Sequence, residues 1–233
     1  NLRPKRDPIV LRSSLKFHKR EAMMLETFNL DGKVVLITGG GTGLGLAMVR
    51  ALARAGANLA LAGRRAAPIE GAAKEVVDLG REALVVTADV TDSKQVDQLI
   101  ATTLDRFGHI DVLINNAGAV QENVRKPLWD ITDDEWNLVM NVNLSGAFFC
   151  ARAVSKPMSE RGKGKIINIA SGFGMRAGRD IYMYCCSKGG MIQLTKVLSF
   201  NLARYGITAN SIVPGFIPTT STDSEIRSTL PRS

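Results

Sequence analysis

The chain predicts a doubly wound parallel α/β sheet with helices layered on both faces, on the strength of three observations. Strand-like and helix-like segments alternate from residue 34 to residue 213, glycines punctuate the ends of helical segments, and the first apolar strand enters a glycine-rich turn that runs straight into a helical pattern. Alternation of this kind sets strands side by side through helical crossovers of one hand. With 233 residues, 45% of them hydrophobic, the chain can bury one sizeable core, so a single domain over residues 28–233 is expected behind a basic extension at residues 1–27.

Taken in order, Val34–Thr38 reads as the first strand, residues 44–55 as a helix ended at Gly56, and residues 58–62 as the second strand. A helix then runs to Leu79 and Gly80 closes it. Residues 84–87 make a third strand, and behind the capping residue Asp92 the side chains of Val96, Leu99, Ile100, Thr103 and Leu104 recur at helical spacing. Val112–Asn115 is the fourth strand. Thr132 and Glu135 have the spacing of a capping box and open a long helix through Trp136, Val139, Met140, Asn143 and Phe149. Residues 165–169 form a fifth strand, residues 181–205 a helix stopped by Gly206, and residues 207–213 a sixth strand.

Two stretches carry chemistry. In Thr38-Gly39-Gly40-Gly41-Thr42-Gly43-Leu44-Gly45, the glycines let a pyrophosphate approach the backbone, and the helix behind them offers free N–H groups and its positive dipole end. Tyr184 and Lys188 stand four apart on one helix face, so the ammonium can lie near the phenol. A phenol's reference pKa is ~10, so work near neutral pH needs about 4 kcal/mol of preferential phenolate stabilisation, and a close lysine can supply much of it. Tyr182 fails as a rival because the residue four positions on is Cys186.

Thr38-Gly39-x-x-x-Gly43-x-Gly45, Asn115-Asn116-Ala117-Gly118, Ser171, Tyr184-x-x-x-Lys188 and Pro214-Gly215 occur in the order and spacing of the short-chain dehydrogenase/reductase family, which the chain resembles over residues 30–220. The resemblance implies a Rossmann-like, three-layer α/β/α domain that binds NAD(P). Open parallel sheets take ligands beyond the carboxyl ends of their strands, where Thr38, Asn115, Ser171 and Pro214 fall. The resemblance further implies that Tyr184 exchanges a proton with the substrate oxygen, Ser171 hydrogen-bonds that oxygen, Lys188 tunes the tyrosine and holds the nicotinamide ribose, and Asn143 holds a water that feeds the lysine. Asn141 is the weaker candidate for that last role. By the same resemblance, Leu44 would belong to the phosphate turn, Asp89 and Val90 to the adenine contact, Asn116 to Gly118 would line the ribose, and Thr219 would reach the carboxamide.

Cofactor choice is read after the second strand, where Leu61-Ala62-Gly63-Arg64-Arg65 offers no carboxylate for a ribose 2′-OH and two guanidiniums for a 2′-phosphate. NADP(H) is therefore expected over NAD. Thr42, where NADP-using relatives often carry a basic residue, points the other way. The implied substrate is a small carbonyl or alcohol compound, a 3-oxoacyl thioester or a ketosugar or gluconate. The glycine turn also resembles that of dienoyl-CoA reductases, and a catalytically silent dinucleotide-binding subunit is the alternative from outside the enzymes.

Net charge is +8, but most of it lies in residues 1–22, where seven basic residues face only Asp7 and Glu21. A nucleic-acid surface is therefore not expected on the body, and the leader reads as a tail, with organelle targeting as its other reading. Cys150, Cys185, Cys186, His18 and His109 form no spaced ligand cluster, so no metal is expected and a reducing cytoplasm fits. Cys185 and Cys186 read as packing residues. No run of 18 apolar residues occurs, so no membrane span is expected. The last residues, Pro231-Arg232-Ser233, fall inside the loop after Pro214, so the family's final strand is expected to be missing. The resemblance implies a homo-oligomer, dimer or tetramer.

Overall fold

In the computed structural model, which describes residues 28–119 and 126–217, six strands form one sheet. They are β1 (Val34–Thr38), β2 (Asn58–Gly63), β3 (Ala83–Thr87), β4 (Val112–Asn115), β5 (Gly164–Ile169) and β6 (Ile207–Ile212), in the order β3-β2-β1-β4-β5-β6. Every pair is parallel. The order reverses between β1 and β4, and a ligand crevice opens at such a switch.

Both faces of the central strands are covered, so β1, β2 and β4 are apolar on both sides rather than alternating, whereas the edge strand β6 alternates, with Thr208 and Asn210 exposed. On one face Leu36, Ala60, Leu113 and Ile166 pack under helices α3 (Ser93–Phe107) and α5 (Gly146–Glu160). On the other, Val35, Ile37, Leu59, Leu61 and Ile114 pack under α1 (Gly43–Arg54) and α2 (Ala66–Asp78). The last helix, α6 (Tyr182–Leu202), brings Leu198 and Leu202 against the first of these clusters.

Local signals account for the boundaries. Asp92 caps α3 by accepting from the N–H groups of Lys94 and Gln95, and Thr132 with Glu135 forms the reciprocal capping box of α4 (Asp133–Met140). Gly206, at φ 72°, ends the turn after α6. One expectation changes: the long helix from Thr132 is interrupted by a π turn, Asn141–Ser145, between α4 and α5. A single widened turn of this kind is frequent at functional sites, and here it carries Asn143. Composition alone would let the helical run Asp133–Glu160, 28 residues long, cross a membrane. It is occupied otherwise, because Cys150, Ala151, Val154 and Met158 are buried against the sheet. The segment 1–27, Thr219 and the chain end lie outside the described residues.

Candidate active site

Backbone shape builds the first half of the site. Thr38 ends β1 with a buried side chain whose Oγ1 accepts from the N–H groups of Asn116 (3.1 Å) and Ala117 (3.0 Å). Asn116 Nδ2 returns two bonds, to the carbonyls of Thr38 (3.0 Å) and Gly39 (2.9 Å). The ends of β1 and β4 are thereby tied across the switch point. Gly39 turns at φ 68°, and a Cβ on Gly45 would run into the Gly39 carbonyl, so only glycine lets α1 begin this close to the turn. Helix α1 has no acid in its first turn and, among the described residues, no side-chain cap, which leaves its N–H groups available to an anion. This cradle fits a pyrophosphate.

Beside it, a Cβ on Gly41 would lie 2.7 Å from the Pro68 carbonyl carbon in the first turn of α2, so turn and helix end are in contact. Arg64 and Arg65 are exposed just before that helix, which also lacks a cap bond and an acidic first turn. Two guanidiniums and a second free helix end thus lie on this side of the turn. Asp89 Oδ1 accepts from the Thr91 N–H (2.9 Å) and hydroxyl (2.8 Å), and Val90 is buried.

The other half is built from side chains. Ser171 follows β5 and accepts from the Phe173 N–H at 3.2 Å. Lys188, on α6, is only 4% exposed and donates to the Ile169 carbonyl at 2.7 Å. Burial pulls its pKa down from the ordinary 10.5 to about 8. Its Nζ stands 5.8 Å from the centroid of the Tyr184 ring, so lysine and phenol share the site while the lysine's own hydrogen bond goes to β5. Phe173 meets Tyr184 edge-on at 6.5 Å.

Asn143 is fully buried, not solvated on a helix surface. Its Oδ1 accepts from the Ala119 N–H (2.7 Å), and its Nδ2 donates to the Ala119 carbonyl (2.9 Å) and to Ser187 Oγ (3.0 Å). One Oδ1 lone pair remains on the side of Gly118, where a Cβ would lie 3.4 Å from that oxygen and 3.8 Å from Lys188 Nζ. Asn141, by contrast, is exposed. Pro214 joins the same edge by accepting from the Gly172 N–H at 3.0 Å, and Gly215 follows it, exposed.

Sequence reasoning missed Ser187, which donates to the Tyr184 carbonyl at 3.0 Å and so links tyrosine to Asn143. Its only signal is a small polar residue three positions after Tyr184 on a buried helix face. Cys186 is exposed and so is not a packing residue, whereas Cys150 is buried, its thiol pushed up to about 12 by burial.

A glycine-cradled dinucleotide crevice beside a Ser, Tyr and Lys group defines a nicotinamide-dependent oxidoreductase. The short chain dehydrogenase profile matches residues 33–230. The 3-oxoacyl-[acyl-carrier-protein] reductase of Synechocystis sp. is 38% identical over 196 residues, 84% of this chain and 78% of that protein. A gluconate 5-dehydrogenase from Burkholderia cenocepacia, solved with NADP and tartrate, superposes with a TM-score of 0.80 at 39% identity, covering 87% of this chain and 78% of that one. An NAD+-bound xylitol dehydrogenase gives a TM-score of 0.80 at 34% identity over 84% and 75% of the two chains. The chain belongs to the short-chain dehydrogenase/reductase family. It is an oxidoreductase of CH–OH and C=O groups that binds NAD(P).

Proposed function

We propose that the protein is an NADP(H)-dependent oxidoreductase interconverting a carbonyl and a secondary alcohol, with Tyr184 as its acid and base. The observation that carries the reading is the desolvated Lys188 beside the Tyr184 ring, its own bond going to Ile169 two residues before Ser171, at the strand edge next to the glycine cradle. In it, Tyr184 gives a proton to the carbonyl oxygen in reduction and takes one from the hydroxyl in oxidation, while the Ser171 hydroxyl donates a hydrogen bond to that oxygen. Lys188, whose pKa near 8 leaves it able to give or regain a proton close to neutral pH, relays protons to the tyrosine and holds the ribose. Asn143 offers its remaining Oδ1 lone pair to a water behind Lys188. The bound nicotinamide supplies or accepts the hydride.

NADP is preferred through Arg64 and Arg65, which pair with the 2′-phosphate; similar structures hold NADP in one case and NAD+ in another, so the preference rests on the two guanidiniums. Gly39, Gly43, Leu44 and Gly45 hold the pyrophosphate, Asp89 and Val90 the adenine, Asn116 to Gly118 the ribose, and Pro214, Gly215 and Thr219 the carboxamide side. Substrates are 3-oxoacyl thioesters or ketosugar and gluconate-type compounds, the classes acted on by similar relatives. Exposed Phe148, Val197 and Phe200 on α5 and α6 support a homo-oligomer, and three free cysteines support a cytoplasmic setting. The test is oxidation of NADPH, with NADH in parallel, against a panel of 3-oxoacyl thioesters, ketosugars and diketones. Turnover with NADPH exceeding that with NADH is the expected result. Tight NADPH binding with no turnover anywhere on the panel would sink the proposal.

A further inference from the structure

Beneath the site runs a chain of buried polar side chains that neither the sheet nor the helices require. Asn115 Nδ2 donates to the Ala147 carbonyl of α5 (3.2 Å) and to Oδ1 of Asn168 on β5 (2.9 Å). Asn168 Nδ2 donates to Thr195 Oγ1 on α6 (2.8 Å), and Thr195 in turn donates to the Met191 carbonyl (2.8 Å). The directions are forced, because carbonyls only accept: Ala147 orients Asn115, Asn115 orients Asn168, and Met191 leaves Thr195 as the acceptor from Asn168. All three side chains are buried, and Asn115 Oδ1 finds no partner among the described residues. A buried orphan acceptor is costly, and apolar residues would avoid it.

Location supplies the reason for keeping the chain. Asn168 is followed by Ile169, whose carbonyl accepts from Lys188, and Ser171 comes two residues later. Thr195 lies seven residues beyond Lys188 on α6, two turns along the same helix face. Consecutive residues of β5 therefore clamp α6 twice, once through Thr195 and once through Lys188. We propose that Asn168 and Thr195 are positioning residues: their bond sets how α6 sits against β5, and so where Lys188 and Tyr184 stand relative to Ser171. This rests on the roles proposed above for those three side chains.

The test compares Thr195→Val, nearly the same shape without the hydroxyl, with Thr195→Ser, which keeps it. Each is measured for Tm, for NADPH-binding stoichiometry, and for kcat per NADPH-binding site with a carbonyl substrate from the panel above. Thr195→Val should bind NADPH at full stoichiometry yet lose about 10-fold in per-site kcat, while Thr195→Ser stays within about 3-fold of the parent. A wild-type per-site kcat in Thr195→Val, with or without a lowered Tm, overturns the proposal, since a residue that merely held the core would change the folded fraction and not the rate per folded site. If Thr195→Val does not fold, Thr195→Cys, a weaker acceptor of similar volume, is judged by the same criterion. Tyr184→Phe is assayed alongside: undiminished turnover there removes the assigned chemistry, a result distinct from a wild-type rate in Thr195→Val, and no turnover by the parent on any substrate removes both readings.

Discussion

The turn after β1 and the joint between β5 and α6 face the same crevice, but they are held in different ways. Gly39 and Gly45 act through the side chain they lack: Gly39 turns at φ 68°, and a Cβ on Gly45 would run into the Gly39 carbonyl. The joint acts through what it buries, an amine 4% exposed and a line of amides and hydroxyls that lies beneath it. One region is selected by shape and the other by electrostatics. Faults in the first should therefore strike cofactor binding, and faults in the second should strike turnover.

Lys188→Met separates the two most strongly. It should reduce turnover by about 10³-fold while making the protein more stable at pH 7, by about 1–3 kcal/mol, because an apolar side chain replaces a desolvated charge. The sign follows from the lowered pKa. Between about 8 and the ordinary 10.5 the unfolded chain holds the extra proton, so wild-type stability rises with pH across that window, and the full penalty applies below it. Urea unfolding at pH 7 and 10.5 checks this: the variant's advantage should shrink at the higher pH, and an advantage absent or reversed at pH 7, or one that does not shrink at pH 10.5, breaks the contrast.

Gly45→Val should act in the opposite direction. With a side chain forced against the Gly39 carbonyl, we expect about 100-fold weaker NADPH binding by fluorescence titration, from about 2–3 kcal/mol of overpacking. Replacing Arg64 and Arg65 by alanine should lower the NADPH to NADH preference by about 10- to 100-fold in kcat/KM, the worth of one or two charge-assisted hydrogen bonds. NADH kinetics should barely move. Thr132→Ala, remote from both regions, should cost only about 1 kcal/mol in chemical unfolding through loss of its bond from the Glu135 N–H, with NADPH binding and turnover unchanged.

The two regions also differed in how far the sequence revealed them. Glycine spacing and the strand and helix periods are local, so Gly39, Gly43 and Gly45, the six strands and the capping box at Thr132 were all readable. Tyr184 and Lys188 were readable because a helix sets their spacing. The π turn at Asn141–Ser145 was not, since no local residue announces it. It is held by Asn143 bonding to Ala119 and Ser187, partners 24 and 44 residues away. Asn168 went unnoticed within the strand at residues 165–169, because its partners Asn115 and Thr195, 53 and 27 residues distant, meet it only once the sheet is assembled.

The most direct measurement is of NADPH affinity and per-site turnover on the same preparations of wild type and Tyr184→Phe. Loss of the phenol should leave the dissociation constant within about 3-fold and lower turnover by about 10³-fold, because in the proposed mechanism the hydroxyl serves proton transfer and the cradle serves binding. Turnover that survives in Tyr184→Phe, or affinity and turnover that fall together, would contradict the assignment of acid–base chemistry to Tyr184.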